Sequence, residues 1–216
     1  MIYSPRFVFI HIPRTGGISI TSALAASAPQ SCVHIENHRH DYAWIIRHRL
    51  GTECWNRKFV FSMIRSPWEI IASWYRLAKR DVAAMKVDQH FAAMDNTWTR
   101  YLRTFEVDMD FGTYVKRDVL SGITGVAQGG FWRTWCCDAI DGADLGVTAY
   151  LYDRLEIDWP IIAARCGVPD AHLPRLNTTD PEPAPWTDEL VAKVGDLCKD
   201  DILRFHFSPP SIESSP

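Results

Sequence analysis

The chain has 216 residues, 47% of them hydrophobic, with 23 basic against 26 acidic side chains and a formal net charge of -3. That size and apolar content supply one substantial core and exclude a wholly disordered chain. No run reaches the roughly 18–20 consecutive apolar residues of a membrane span, and a slightly acidic total excludes the broad positive field of a general nucleic-acid binder. Phe7 to Ile12 (F-V-F-I-H-I) is β-branched and aromatic, the composition of a buried strand. Starting this soon after Met1, it leaves no room for a signal peptide, so a soluble cytoplasmic protein is expected. Pro13-Arg14-Thr15-Gly16-Gly17 breaks the strand, and Ile18 to Ser27 is predicted helical. A short strand is predicted at Cys32 to Ile35, a helix at Asp41 to Leu50 closed by Gly51, and a second buried strand at Lys58 to Ile64.

Arg65-Ser66-Pro67-Trp68-Glu69 follows at once with helix-start chemistry: Ser66 as cap, Pro67 at the first helical position and Glu69 completing a capping box. The helix it opens places Ser66, Glu69, Ser73, Arg76 and Arg80 on one polar stripe, with Ile70, Ile71, Trp74 and Leu77 opposite. Asp88 to Asp138 is aromatic-rich and shows no clear period. Val147 to Tyr152 reads as a strand, Leu155 to Cys166 as a helix ended by Gly167, Asn177 to Pro185 as a proline-rich irregular stretch, and Thr187 to Phe205 as one amphipathic helix. Residues 1–207 are expected to form a single domain and 208–216 a frayed tail. Strand, turn and helix in repeated order predict an α/β fold of three layers, a mostly parallel sheet with helices on both faces.

The average charge hides a contrast. Residues 1–80 hold eleven Lys and Arg against four acids, a balance of +7, so the rest of the chain carries -10. A small polyanionic ligand held by the first part of the chain is one reading, chance clustering of solvated charge the other. The six cysteines form no C-x-x-C pair and show no zinc-ligand spacing with histidine, so reduced, buried thiols and no metal site are expected.

A strand running through a glycine turn into a helix is an anion site, because backbone N–H groups close around the oxygens and the helix N-terminus adds partial positive charge. Arg14, Thr15, Gly16, Gly17, Ile18 and Ser19 occupy that turn. The string lacks the Gly-Lys-Ser/Thr of a Walker A loop, and the strand from Lys58 ends in Arg65 where a Walker B strand ends in Asp. Cations at two strand ends suggest a phosphate ligand held without Mg²⁺.

His11-Ile12-Pro13-Arg14-Thr15-Gly16-Gly17-Ile18-Ser19 resembles the H-I-P-K-T-G-G-T-S loop of PAPS-dependent sulfotransferases of the glycan-type branch. Arg65-Ser66-Pro67-Trp68-Glu69 through Ser73-Trp74-Tyr75 is similar to that family's second motif, R-N-P-W-(D/E)-R to S-x-Y. Tyr152-Asp153-Arg154-Leu155, Gly167-Val168-Pro169, Leu173 to Asn177 and Asp200 to Phe205 resemble its weaker landmarks, in order. The resemblance implies a P-loop NTPase-like fold and 3′-phosphoadenosine 5′-phosphosulfate (PAPS) as sulfuryl donor. It further implies that residues 14–19 grip the 5′-phosphosulfate, that Arg65 and Ser73 hold the 3′-phosphate, and that the acceptor is a hydroxyl on a carbohydrate or other small metabolite.

Two positions depart from the family: Arg14 stands for Lys and Ile18 for Thr. Arg keeps the charge that stabilises a leaving oxygen but is a planar fork, not a point charge. Sulfuryl transfer to a hydroxyl also needs a base, and His34, His38 and His40 cluster at and after the short strand predicted at Cys32 to Ile35; the resemblance favours His40, then His38. His11 is expected to pack under the loop. Trp98, Trp132 and Trp135 are either core residues or walls of an acceptor pocket, and Gln128-Gly129-Gly130 either a mobile acceptor loop or a turn. Two other functions remain open: a P-loop kinase or NTPase, against which the missing Walker residues count, and a noncatalytic module that binds PAP(S) without turnover.

Overall fold

A computed structural model of the chain describes residues 2–28, 33–34, 40–121, 125–176 and 184–212. Its centre is a five-stranded sheet, in the order β3-β1-β2-β4-β5, made of β1 (Ile2–Tyr3), β2 (Phe7–Ile10), β3 (Val33–His34), β4 (Phe59–Ile64) and β5 (Thr148–Leu151). β2 pairs with β4 and β4 with β5 in parallel, whereas β1 runs antiparallel to both its neighbours, so four of the five strands share one direction. The helices are α1 (Gly17–Ser27), α2 (Ala43–Leu50), α3 (Thr52–Asn56), α4 (Pro67–Val87), α5 (Gln89–Ala93), α6 (Thr97–Leu102), α7 (Phe111–Tyr114), α8 (Phe131–Cys136), α9 (Leu155–Cys166), α10 (Asp188–Leu197) and α11 (Lys199–Phe205).

Alternation along the two central strands sorts the core into two layers. Phe7, Phe9, Phe61 and Met63 pack on one face with Ile20 and Leu24 of α1 and Trp159 and Ile162 of α9. Val8, Ile10, Val60 and Ile64 pack on the other with Ile46 of α2, Ile70 and Ile71 of α4, and Phe131, Trp132 and Trp135 of α8. Helices therefore cover both faces of a mostly parallel sheet.

The predicted elements around the two motifs are present, with differences that have local causes. β1, which lies antiparallel between β3 and β2, is too short to show a period. The predicted strand at Cys32 to Ile35 is described only at Val33–His34. The capping box at Ser66 does not form: Ser66 makes no side-chain cap, and Glu69 instead accepts from Arg65 Nε at 2.7 Å, a charge-assisted bond that outcompetes a backbone N–H. Ser73, placed by periodicity on a polar stripe, is 2% exposed.

The single helix expected over Thr187 to Phe205 is broken at Cys198, whose φ and ψ of -106° and 24° start α11 in a new direction. The break lets Asp201, 1% exposed, cap α8: its carboxylate accepts from Trp132 N at 2.9 Å. Gln128-Gly129-Gly130 is held by the same helices. Gly129 N–H donates to Leu197 O at 2.8 Å, Asp201 N–H to Gly129 O at 3.2 Å, and Gln128 Nε2 to Asp196 O at 2.9 Å. This segment is a pinned turn.

Burial pushes the Asp201 carboxyl up to about 7, the backbone donors of Phe131, Trp132 and Arg133 drawing it part of the way back. The folded chain holds this proton over a range in which the unfolded chain, with an ordinary carboxylate near 3.8, has released it. The group's contribution to stability is complete below the unfolded value and is lost as pH rises through the folded one. In urea unfolding, the parent chain is expected to lose stability between about pH 4 and pH 7 relative to Asp201→Asn, which does not titrate. A stability difference that stays constant over this range would show that Asp201 does not titrate there.

Candidate anion-binding site at the strand ends

β2 and β4 are parallel neighbours, and the chain leaves their carboxyl ends in opposite senses: α1 covers one face of the sheet and α4 the other. The ends of such a strand pair flank a crevice in open α/β sheets. Residues of both sequence motifs meet at these ends, where Arg14 bonds Ser73.

The turn after β2 is built tightly. Thr15 is fully buried, and its hydroxyl donates to Ile12 O at 2.7 Å. Gly16 takes a φ of 78° and precedes α1, and a Cβ there would lie 2.9 Å from the Tyr152 ring. Gly17 is the sharper requirement: its missing Cβ would fall 1.9 Å from Cδ2 of His11. His11, 4% exposed, thus packs under the loop as expected, stacked on Phe9 at 5.7 Å. Ser19 is buried and accepts from Leu176 N–H at 3.1 Å, so this hydroxyl ties α1 to the 173–176 segment. Ile18 is half-buried. The Thr15 hydroxyl has therefore spent its hydrogen within the protein, whereas Ser19 accepts and keeps its own O–H, which leaves Ser19, the backbone of the turn and Arg14 as anion donors.

Arg14 is one of two non-glycine residues with positive φ (66°) among the described residues. Its Nε donates to Ser73 Oγ at 2.9 Å, joining two motifs 59 residues apart. Its guanidinium is held below its ordinary value by burial and then by the positive charges of Arg80, Arg65 and Arg76, with Asp81 acting in the opposite direction. Four guanidinium groups thus converge here. Arg65 is gripped by Glu69 and lies over the Tyr152 ring at 4.7 Å, a cation–π contact. Arg80 pairs with Asp81 at 2.9 Å, and Asp81 also accepts from Trp98 Nε1 at 2.9 Å. Asp153, next to Tyr152, has its carboxyl raised by burial and by Glu69, with Arg65 opposing.

The sequence reading assigned roles to Arg14, Arg65 and Ser73, which the structure brings together. It left out Arg76, Arg80, Asp81 and Tyr152. The stripe of polar residues on α4 signalled the two arginines; nothing in the sequence signalled that Tyr152 would stack on Arg65.

His40 lies beside the loop, its ring centroid 4.5 Å from that of His11 and its Nδ1 3.1 Å from His11 O. A carbonyl only accepts, so Nδ1 carries the hydrogen and Nε2 is the ring's acceptor. His34 belongs to β3, and His38 lies outside the described residues. Trp132 and Trp135 are core residues, 2% and 6% exposed; Trp98 is half-buried between Trp74 and Tyr101. Among the described residues no group of three or more His, Cys, Asp and Glu is placed to hold a metal ion, and no helix is long and apolar enough to cross a membrane. Comparisons of the chain with family models, with curated proteins and with solved structures return no match.

Helix propensity alone makes Gly17→Ala favourable by about 1 kcal/mol, whereas overpacking against His11 costs about 1–3 kcal/mol. The collision is the larger effect, so Gly17→Ala is expected to lower the unfolding midpoint and His11→Ala in the same chain to recover part of the loss. Additive effects in this double-mutant cycle would show that the ring does not press on the turn.

Proposed function

We propose that the chain is a PAPS-dependent sulfotransferase that moves a sulfuryl group to a hydroxyl of a carbohydrate or other small metabolite, in the cytoplasm. The observation that carries the reading is the convergence of Arg14 with Arg65, Ser73, Arg76 and Arg80 across two motifs that resemble the donor-binding motifs of that family. In this reading the sheet and its glycine turn are P-loop NTPase-like. The donor has anionic groups at both ends of its ribose, and the residues present suit it: four guanidiniums are offset in the crevice by Glu69 and Asp81.

The turn backbone from Gly16 to Ser19 and the N-terminus of α1 receive the 5′-phosphosulfate. Arg65, Ser73, Arg76 and Arg80 receive the 3′-phosphate. Arg14 stands between the two and stabilises charge on the oxygen that leaves. The donor supplies sulfur already bonded to a phosphate leaving group: that S–O bond breaks as the acceptor oxygen bonds sulfur, and the acceptor's proton passes to Nε2 of His40.

One feature favours a second reading, binding of the nucleotide without turnover: Arg14, a planar fork where the resembling family has Lys, is fastened to Ser73. The experiment has three arms: thermal stabilisation by the desulfated nucleotide PAP, thermal stabilisation by Mg·ATP, and transfer from labelled PAPS to a panel of hydroxyl acceptors. The proposal expects stabilisation by PAP and transfer to at least one acceptor. PAP stabilisation with no transfer selects the binding module, and stabilisation by Mg·ATP alone refutes both readings in favour of a kinase or NTPase.

Two variants divide the labour within the site. Arg65→Ala is expected to weaken PAP by about tenfold or more, the value of a charge-assisted bond, while leaving adenosine 5′-phosphosulfate, which lacks the 3′-phosphate, nearly unchanged. Equal losses for both ligands would remove Arg65 from the 3′-phosphate. His40→Ala is expected to lower kcat by about 10²–10⁴ with PAP affinity intact; an unchanged kcat would move the base elsewhere.

A further inference from the structure

A second concavity shares no residue with the crevice at the strand ends. Its volume is about 360 Å³, and it is lined by Trp132 and Arg133 of α8, Asp141 and Gly142 of the turn that follows, and Asp200 and Arg204 of α11. That volume is at the small end of small-molecule sites, room for a molecule the size of a free amino acid. The indole of Trp132, 2% exposed, closes the cleft below, and its buried Nε1–H has no acceptor among the described residues.

Arg133 crosses the cleft over two glycines of positive φ. Its Cγ lies 3.0 Å from where a Cβ of Gly129 (φ 103°) would stand, and its Nη1 lies 1.0 Å from where a Cβ of Gly142 (φ 72°) would stand, so the backbone at 142 has room for the guanidinium only because it carries no side chain. The group so closely accommodated nevertheless makes no hydrogen bond or ion pair among the described residues. Asp200 is in the same condition. Its Oδ2 lies 2.7 Å from the Cβ position of Gly129, beside the stem of Arg133 instead of its fork, and the carboxylate accepts from no described residue.

The other charges of the cleft are committed. Arg204 donates to Asp144 at 2.8 Å and covers the Trp132 ring at 5.2 Å, Asp201 caps α8, and Asp141 Oδ1 accepts Ala143 N–H at 2.8 Å. The cleft is also polarised along its length. Burial and then Asp144 raise the thiol of Cys137, which lines the cleft, while Arg204 and Arg133 lower it, so both guanidiniums gather on that side and Asp200 stands apart from them. A lone anion would be drawn to the fork but would face Asp141, and a lone cation beside Asp200 would face two guanidiniums. A molecule carrying both charges meets a complementary group at each end: a carboxylate matches the planar fork in two parallel bonds, and an ammonium donates to Asp200.

We propose that this cleft binds a zwitterion of the amino-acid class, its carboxylate on Arg133 and its ammonium on Asp200. Such a ligand ties α8 to α11 across the break at Cys198. The site is independent of the sulfotransferase reading, and no nucleotide enters its test.

Calorimetric titration with each of the twenty common amino acids, up to about 10 mM, is expected to find saturable binding of at least one. For the amino acid that binds most tightly, the methyl ester, which lacks the carboxylate, and the N-acetyl derivative, which lacks the ammonium, are each expected to bind about tenfold or more weakly. Two variants assign the ends. Arg133→Gln is expected to weaken the parent amino acid about tenfold and leave the methyl ester unchanged; Asp200→Asn is expected to weaken the parent about tenfold and leave the N-acetyl derivative unchanged. A general disturbance of the fold would weaken parent and derivative alike, so this crossed pattern reads the contacts themselves. Absence of binding by all twenty, a derivative that binds as tightly as its parent, or a variant that affects parent and derivative equally overturns the proposal.

Discussion

Like charge gathered at one end of the sheet is the constraint on which the rest of this structure depends. Arg14, Arg65, Arg76 and Arg80 lie close enough for the last three to lower the proton affinity of the first. Bringing guanidiniums together costs energy in proportion to how poorly water screens them, and partial burial of Arg14 weakens that screening. The chain offsets the cost with partners that are few and placed among the cations: Glu69 on Arg65, Asp81 on Arg80, and the neutral hydroxyl of Ser73 on Arg14. Glu69, Asp81 and the nearby Asp153 are three carboxylates against four cations, so the crevice keeps a positive balance.

The topology is what makes such a cluster possible. Because β2 and β4 are parallel and adjacent, both motifs emerge at the same edge of the sheet, and because α1 and α4 lie on opposite faces, neither helix blocks the other. Two rings then fix the positions. His11 fills the space left by the absent side chain of Gly17, which holds the turn against the end of β2. Tyr152, at the end of β5, packs against Gly16 on one side and carries Arg65 over its ring on the other, so the third parallel strand braces both motifs. Packing on these rings and the bonds from Nε of Arg14, Arg65 and Arg80 to Ser73, Glu69 and Asp81 together set the geometry of the cations.

The strands β2 and β4, the glycine turn and the start of α4 were legible because they depend on local rules: runs of β-branched and aromatic residues, glycine where φ is positive, proline at the first helical position. The layering followed from alternation within those strands. What was not legible depends on which residues meet. Periodicity put Ser73 on a polar stripe, but only the fold shows that Arg14 covers that stripe and buries the hydroxyl. Thr15 and Ser19 have the composition of phosphate ligands, but the Thr15 hydroxyl closes its own turn on Ile12 O, and Ser19 accepts from Leu176 N–H, a group brought close only by tertiary structure. The capping box at Ser66 failed because Glu69 had a better partner in Arg65. The break at Cys198 exists so that Asp201 reaches the start of α8, some 70 residues away in sequence.

The bond from Arg14 to Ser73 looks at first like an obstacle, since it occupies both groups assigned to the ligand. Counting donors and acceptors gives the opposite result. A guanidinium has five N–H donors, and the one on Nε is spent on Ser73; both terminal amino groups still carry theirs. A serine hydroxyl accepts through a lone pair and keeps its own hydrogen to give, so Ser73 can receive from Arg14 and donate to an anion at the same time. The contact therefore orders two donors toward the crevice and removes rotamer freedom that a lysine at this position would lose only on binding. On this account arginine at position 14 is not a weakened lysine. It is a cation held in place by a hydroxyl that keeps its own donor, on a backbone that takes a φ of 66°.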